Sequence, residues 1–205
     1  MIVINFKNNK TGKQVLELAK KIDKKNIIAA VPAVNIKEVA DKTKLKVYAQ
    51  HVDYHKKGRN TGFLIPETIK DAGASGSLLN HSEHLVSIKD IKLTSRKCKK
   101  VGLKLIICTS SLRQVKEIKK LKPFAIAFED PKLIATKKSI TKYGKKSISK
   151  FVETLNGTGI IPLCGAGISS KQDYEEALKL GCGGVLVSYV IAKSRNTKKF
   201  LNFVS

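Results

Sequence analysis

Eight short apolar runs, separated by helical patterns, recur along the 205 residues, and this rhythm constrains the fold more than any other feature. They are Ile2-Val3-Ile4, Ile27 to Val31, Lys46 to Gln50, Ser77 to Asn80, Leu103 to Cys108, Phe124 to Phe128, Ile160 to Cys164 and Gly184 to Ser188. Runs this short and this continuously apolar suit strands buried on both faces of a parallel sheet. A parallel sheet needs a crossover between successive strands, and the intervening segments carry helix signals. Strand and helix alternating eight times predict an α/β protein, a (β/α)8 barrel, rather than an open sheet. Such barrels usually take about 250 residues, with about 200 as a lower limit, so trimmed helices and short connections follow. A single compact domain over residues 1–205 leaves no space for a second one.

The helix signals are local. Thr11-Gly12-Lys13-Gln14, Ser87-Ile88-Lys89-Asp90 and Ser170-Lys171-Gln172-Asp173 each place a hydroxyl at an N-cap and an acceptor three residues on. Val15, Leu18, Ala19 and Ile22 form one helical stripe, and Ile148, Phe151, Val152 and Leu155 form another. Pro66 fits a first helical turn, where its missing N–H costs nothing.

Composition narrows the classes. A hydrophobic fraction of 42% supports a sizeable core. Met1-Ile2-Val3-Ile4-Asn5 lacks the basic and long apolar regions of a secretion signal, and no apolar run approaches the roughly 20 residues of a membrane span. A soluble, cytoplasmic protein without a membrane partner is expected. Cys98, Cys108, Cys164 and Cys182 show no C-x-x-C spacing and no metal-ligand partners, so reduced thiols and no metal are expected. Lys and Arg total 40 against 16 Asp and Glu, a formal net charge of +24. The lysines are spread along the chain, as a solvated outer surface would have them, and they favour encounter with anions.

Four fragments stand at the carboxyl ends of apolar runs: Asn5-Phe6-Lys7, Asn80-His81-Ser82-Glu83, Phe128-Glu129-Asp130-Pro131 and Cys164-Gly165-Ala166-Gly167. Barrel active sites lie at that end. A cation, an imidazole and a carboxylate there are the groups needed to move a proton next to a carbonyl. In order and approximate spacing the fragments resemble the triosephosphate isomerase family, most closely its short archaeal form, over nearly the whole length. The resemblance implies a TIM barrel that interconverts D-glyceraldehyde 3-phosphate and dihydroxyacetone phosphate through an enediolate, in glycolysis and gluconeogenesis, with no cofactor.

By that resemblance Glu129 is the base that takes the proton from carbon. A base works best with its pKa drawn toward the working pH, so it should be partly desolvated. His81 is implied to be a neutral electrophile, and Ser82-Glu83 after it read as a helix start whose dipole disfavours imidazolium. Lys7 is implied to offset charge on the substrate oxygen, with Asn5 hydrogen-bonding the same oxygens and Phe6 implied as a substrate contact beside them. Glu83, with Ser82, is implied to hold Lys7 in place. Gly167 and the Val187-Ser188 pair are the implied phosphate contacts, with the following helix offering its N-terminus to the anion. His51, His55 and His84 receive no catalytic role.

Pro131 to about Thr141 corresponds to the family's lid, with a substrate contact implied at Ile134. The family then usually reads Gly-Thr-Gly, where this chain has Ala135-Thr136-Lys137, a change that can stiffen the segment. The partners implied are a phosphorylated triose and further copies of the chain, as homodimer or homotetramer through His51 to Gly62. Two alternatives stand beside this reading. One is a related sugar-phosphate barrel enzyme; the other is a basic nucleic-acid-binding protein on the same barrel with lost or reduced catalysis. With no tryptophan and 6% aromatics the chain lacks a single-strand stacking platform, and nucleic acid is expected to bind only non-specifically.

Overall fold

The computed structural model describes residues 1–24, 26–130, 133, 139–165 and 167–188. Its eight strands are β1 (Ile2–Asn5), β2 (Ile27–Val31), β3 (Lys46–Ala49), β4 (Gly76–Leu79), β5 (Lys104–Thr109), β6 (Ala125–Glu129), β7 (Ile161–Gly165) and β8 (Gly184–Val187). All neighbouring strands are parallel, in chain order, and β8 pairs back onto β1 through Ile2 and Val185, so the sheet closes into a barrel. Each of the eight apolar runs contains a strand, displaced by at most one or two residues.

The helices are short, as the length of the chain requires. They are α1 (Lys13–Lys21), α2 (Ile36–Lys42), α3 (Pro66–Asp71), α4 (Ile88–Val101), α5 (Leu112–Ile118), α6 (Ile140–Tyr143), α7 (Lys145–Leu155) and α8 (Lys171–Lys179). Pro66 opens α3. Ser170 and Asp173 form a reciprocal capping box at α8. Ser87 accepts from the Asp90 N–H at α4, while Asp90 answers through the Ser87 hydroxyl instead of its backbone. Thr11 does not cap α1. Gly12, at φ 50°, takes the N-cap position, and Thr11 contributes only its carbonyl to the Gln14 N–H.

Side-chain alternation divides the core into two layers. Ile2, Ile4, Ile27 and Ala29 face the helices in one cluster, while Val3, Ile28, Ala30, Tyr48, Leu78 and Leu163 fill the barrel in another. Val15, Leu18 and Ala19 of α1, and Ile148, Phe151 and Leu155 of α7, are buried against the outer layer, each contributing about 1.5–3 kcal/mol for a full aliphatic or aromatic side chain. The same parity decides the site. Asn5 follows inward-facing Val3 by two residues, Asn80 follows Leu78, Glu129 follows Ala127 and Gly165 follows Leu163, so all four point into the carboxyl mouth.

Candidate active site

Lys7, His81 and Glu129, 122 positions apart at the extremes, meet at that mouth. Lys7 leaves β1 with φ 48°, a left-handed backbone that costs a non-glycine residue roughly 1–2 kcal/mol. Three groups hold it there. Its N–H donates to Asn5 Oδ1 at 2.9 Å, its carbonyl accepts from Gln50 Nε2 at 3.0 Å, and its ammonium pairs with Glu83 Oε1 at 2.6 Å. Strain that the surroundings enforce in this way marks functional positions.

The second left-handed residue at the site is Asn80, with φ 58°. Asparagine tolerates this region, and its carboxamide fixes the loop on both sides: Nδ2 donates to the Cys108 carbonyl at 3.0 Å and Oδ1 accepts from the Val86 N–H at 3.1 Å. His81 follows, buried, with Nδ1 accepting from the Glu83 N–H at 3.2 Å. An Nδ1 that accepts leaves the proton of a neutral imidazole on Nε2. That Nε2 lies 3.7 Å from Glu129 Oε2. No helix begins at Ser82: residues 82–84 form a turn, the His84 N–H bonds the His81 carbonyl at 2.8 Å, and α4 starts only at Ile88. The His81 pKa is nevertheless lowered, first by burial and second by the Lys7 charge, against the opposing pull of Glu83. The imidazole is thus kept neutral without the helix dipole.

Glu129 is the least satisfied group in the mouth. Its Oε2 is buried with no hydrogen-bond partner, although ordinary buried polar atoms have one. Burial raises the carboxyl pKa from 4.5 to about 7, with Lys7 opposing the rise and Glu83 adding to it. Across β7, a Cβ on Gly165 would lie 3.1 Å from Glu129 Oε1, tighter than normal contact, so the missing side chain makes the room the carboxylate occupies.

Other expected positions divide. Gly167, with φ 73°, and half-buried Ser188 follow β7 and β8 at the same end, and Val187 closes β8 with its side chain in the outer core. Ser82 is exposed beside Glu83. The Phe6 side chain is wholly buried in the layer facing the helices, so any substrate contact at this position falls to its main chain. Ile134 and Ala135-Thr136-Lys137 lie outside the described residues. The far end of the lid segment is placed: Ser139 caps α6, and the Thr141 hydroxyl donates to Asp173 Oδ1 at 3.3 Å, tying it to the α8 capping box. Three further residues at the site, Gln50, Asn80 and Gly165, work through backbone geometry, and their only sequence signal is their position at a strand end. All four cysteines are free and buried, and among the described residues no cluster of His, Cys, Asp and Glu could hold a metal.

A family model for triosephosphate isomerase matches residues 1–205. Proteins named triosephosphate isomerase are similar over nearly their full length. That of Metallosphaera sedula is 40% identical, covering 100% of this chain and 94% of its own. That of Saccharolobus solfataricus is 38% identical over 97% and 92%, and that of Methanocaldococcus jannaschii 35% over 97% and 95%. With a closed eight-stranded barrel and a lysine, a neutral histidine and a desolvated glutamate at one mouth, the chain belongs to the triosephosphate isomerase family.

Proposed function

We propose that this chain is a working triosephosphate isomerase in which Glu129 is the base, His81 the neutral hydrogen-bond donor and Lys7 the charge that stabilises the enediolate. The observation that carries the reading is the orphaned Glu129 carboxylate, buried, with its pKa raised to about 7, facing the protonated nitrogen of His81. A base of that strength is half-ionised near neutral pH, which suits proton abstraction from a carbon acid.

The steps use protein groups alone. Glu129 takes the proton from the carbon bearing hydroxyl and hydrogen, and the C–H electron pair becomes a C=C bond. The carbonyl electron pair moves onto its oxygen, where the Lys7 ammonium and the His81 Nε2–H offset the charge. With its oxygen engaged by the Lys7 N–H, Asn5 has its Nδ2 to offer the same atoms. His81 exchanges protons between the two oxygens, and Glu129 returns its proton to the neighbouring carbon. One carbon is oxidised as its neighbour is reduced, so no external redox partner is required. Backbone N–H groups around Gly167 and Val187-Ser188 hold the phosphate.

The decisive experiment is Glu129→Gln. Turnover of glyceraldehyde 3-phosphate is expected to fall by about 10³–10⁴-fold with the circular dichroism spectrum unchanged. A variant near the wild-type rate overturns the assignment. The same reading makes the protein a soluble cytoplasmic enzyme that assembles with its own copies, as dimer or tetramer, through the loop from His51 to Gly62. Tyr54 stacks on His55, and His55 packs at a tilt against the exposed Phe63, which gives that loop an apolar contact surface. Sedimentation showing a monomer at micromolar concentration would overturn the assembly. Nothing among the described residues favours the nucleic-acid alternative.

A further inference from the structure

We propose that the amino mouth of the barrel, opposite the catalytic groups, is a second binding site, for a small organic polyphosphate. A cleft of about 730 Å³ opens there, lined by Lys46, Lys70, Lys104, Tyr48, Phe124 and Ile28 among others, and no carboxylate side chain lines it. That volume falls within the roughly 300–1,000 Å³ of small-molecule sites. It is larger than a three-carbon phosphate needs.

The lysines are arrayed around the opening by the fold. Lys46 begins β3 and Lys104 begins β5, while Lys70 comes from α3. All three are exposed, and none pairs with a carboxylate among the described residues. Two are held in place by groups other than carboxylates. The Lys70 ammonium donates to the Val101 carbonyl, beside Gly102, whose absent Cβ would stand 3.0 Å from it. The Lys104 ammonium lies 4.8 Å over the Phe124 ring. Three such cations in one opening repel one another unless an anion joins them.

The floor supplies an independent observation. Tyr48 is 1% exposed, lines the cleft, and its hydroxyl makes no hydrogen bond to another described residue. The hydroxyl is not among the buried polar atoms left without a partner, and it is reached from the cleft. The ring is seated against Gly76, where a Cβ would come within 2.4 Å of Cε2. An unpartnered hydroxyl and apolar carbon at the bottom, with three ammonium groups at the rim, fit a ligand with an apolar body and three or more negative charges. A nucleoside triphosphate has that chemistry.

The test is calorimetry with ATP and with inorganic tripolyphosphate, both free of divalent metal, on the wild-type protein and two triple variants. One variant is Lys46→Gln/Lys70→Gln/Lys104→Gln. The other, Lys89→Gln/Lys92→Gln/Lys150→Gln, removes equal charge from exposed positions that do not line the cleft. The expected result is one ATP per chain, tighter than tripolyphosphate, weakened about tenfold or more by the first triple and less than about twofold by the second. Isomerase activity of both variants at matched ionic strength controls for folding. Amide resonances of Ser75 and Gly102 should shift with ATP, while those of His81 and Gly165 should not. Equal weakening by both triples, shifts confined to the carboxyl mouth, or no binding to the wild type overturns the proposal. ATP binding no tighter than tripolyphosphate removes the organic body from it.

Discussion

At the carboxyl mouth the Lys7 ammonium is clamped 2.6 Å from a carboxylate on a left-handed backbone, whereas at the amino mouth Lys46, Lys70 and Lys104 ring an open cleft with no carboxylate side chain among its described lining residues. The two ends are built from the same strands, and their interiors differ in what the inward parity delivers. At the carboxyl end the inward positions are Asn5, Asn80, Glu129 and Gly165; deeper in, they are Tyr48, Ile28 and Leu163. The contrast shows that lysine content alone carries no functional information here. Placement does: Lys7 is fixed by three partners beside Glu129 and His81, whereas Lys70 and Lys104 are held without a carboxylate partner around an open cleft.

The comparison can be broken most forcefully at Lys7. Lys7→Met is expected to lower kcat/KM by about 10³-fold, because a preorganised charge at the developing oxyanion is lost. The Lys46→Gln/Lys70→Gln/Lys104→Gln variant should leave kcat/KM within about twofold once ionic strength is matched. Steady-state assays that rank these two in the opposite order would refute the division of labour.

A second expectation concerns stability. The folded-state pKa of Glu129, about 7, lies above its ordinary 4.5. Its contribution to stability is therefore fully present below pH 4.5 and is lost as pH rises through 7, by up to ~3 kcal/mol. Glu129→Gln should accordingly be more stable than wild type at pH 8 and similar at pH 4.5. Denaturant unfolding of the pair at the two pH values measures the difference directly. The same group predicts that kcat/KM climbs with pH up to about 7.

At the amino end the analogous perturbation acts on packing. Gly76→Ala would place a Cβ 2.4 Å from both the Lys104 carbonyl and the Tyr48 ring. A loss of about 2 kcal/mol in unfolding free energy is expected, with kcat of the remaining folded enzyme unchanged. A smaller catalytic loss than that of Lys7→Met belongs to Gln50→Ala, which removes the amide holding the Lys7 and Ala30 carbonyls. A fall of about tenfold in kcat/KM with an unaltered pH profile would mark Gln50 as a residue that positions Lys7.

The strands were legible because each is a short apolar run whose neighbours switch to helical spacing. Glu129, His81 and Lys7 were legible because each follows or closes such a run within a fragment that resembles the family's. What sequence could not reveal depends on backbone angles and distant pairings. Thr11 looks like an N-cap, yet Gly12 turns the chain one residue later. Ser82-Glu83 looks like a helix start, yet left-handed Asn80 and the 82–84 turn postpone α4 to Ile88. Phe6 sits within a catalytic fragment, yet alternation along β1 sends its ring outward. Gln50 steadies a residue 43 positions away, and no local pattern announces that.

Glu83 speaks to both of its neighbours through different atoms: its main-chain N–H sets the imidazole tautomer, and its side chain anchors the ammonium. Substitution at Glu83 therefore frees the ammonium and shifts the imidazole pKa while leaving the tautomer-setting main-chain N–H in place. Only a change in the length of the 82–84 turn would unsettle that N–H as well, so that turn should accept new side chains far more readily than insertions or deletions.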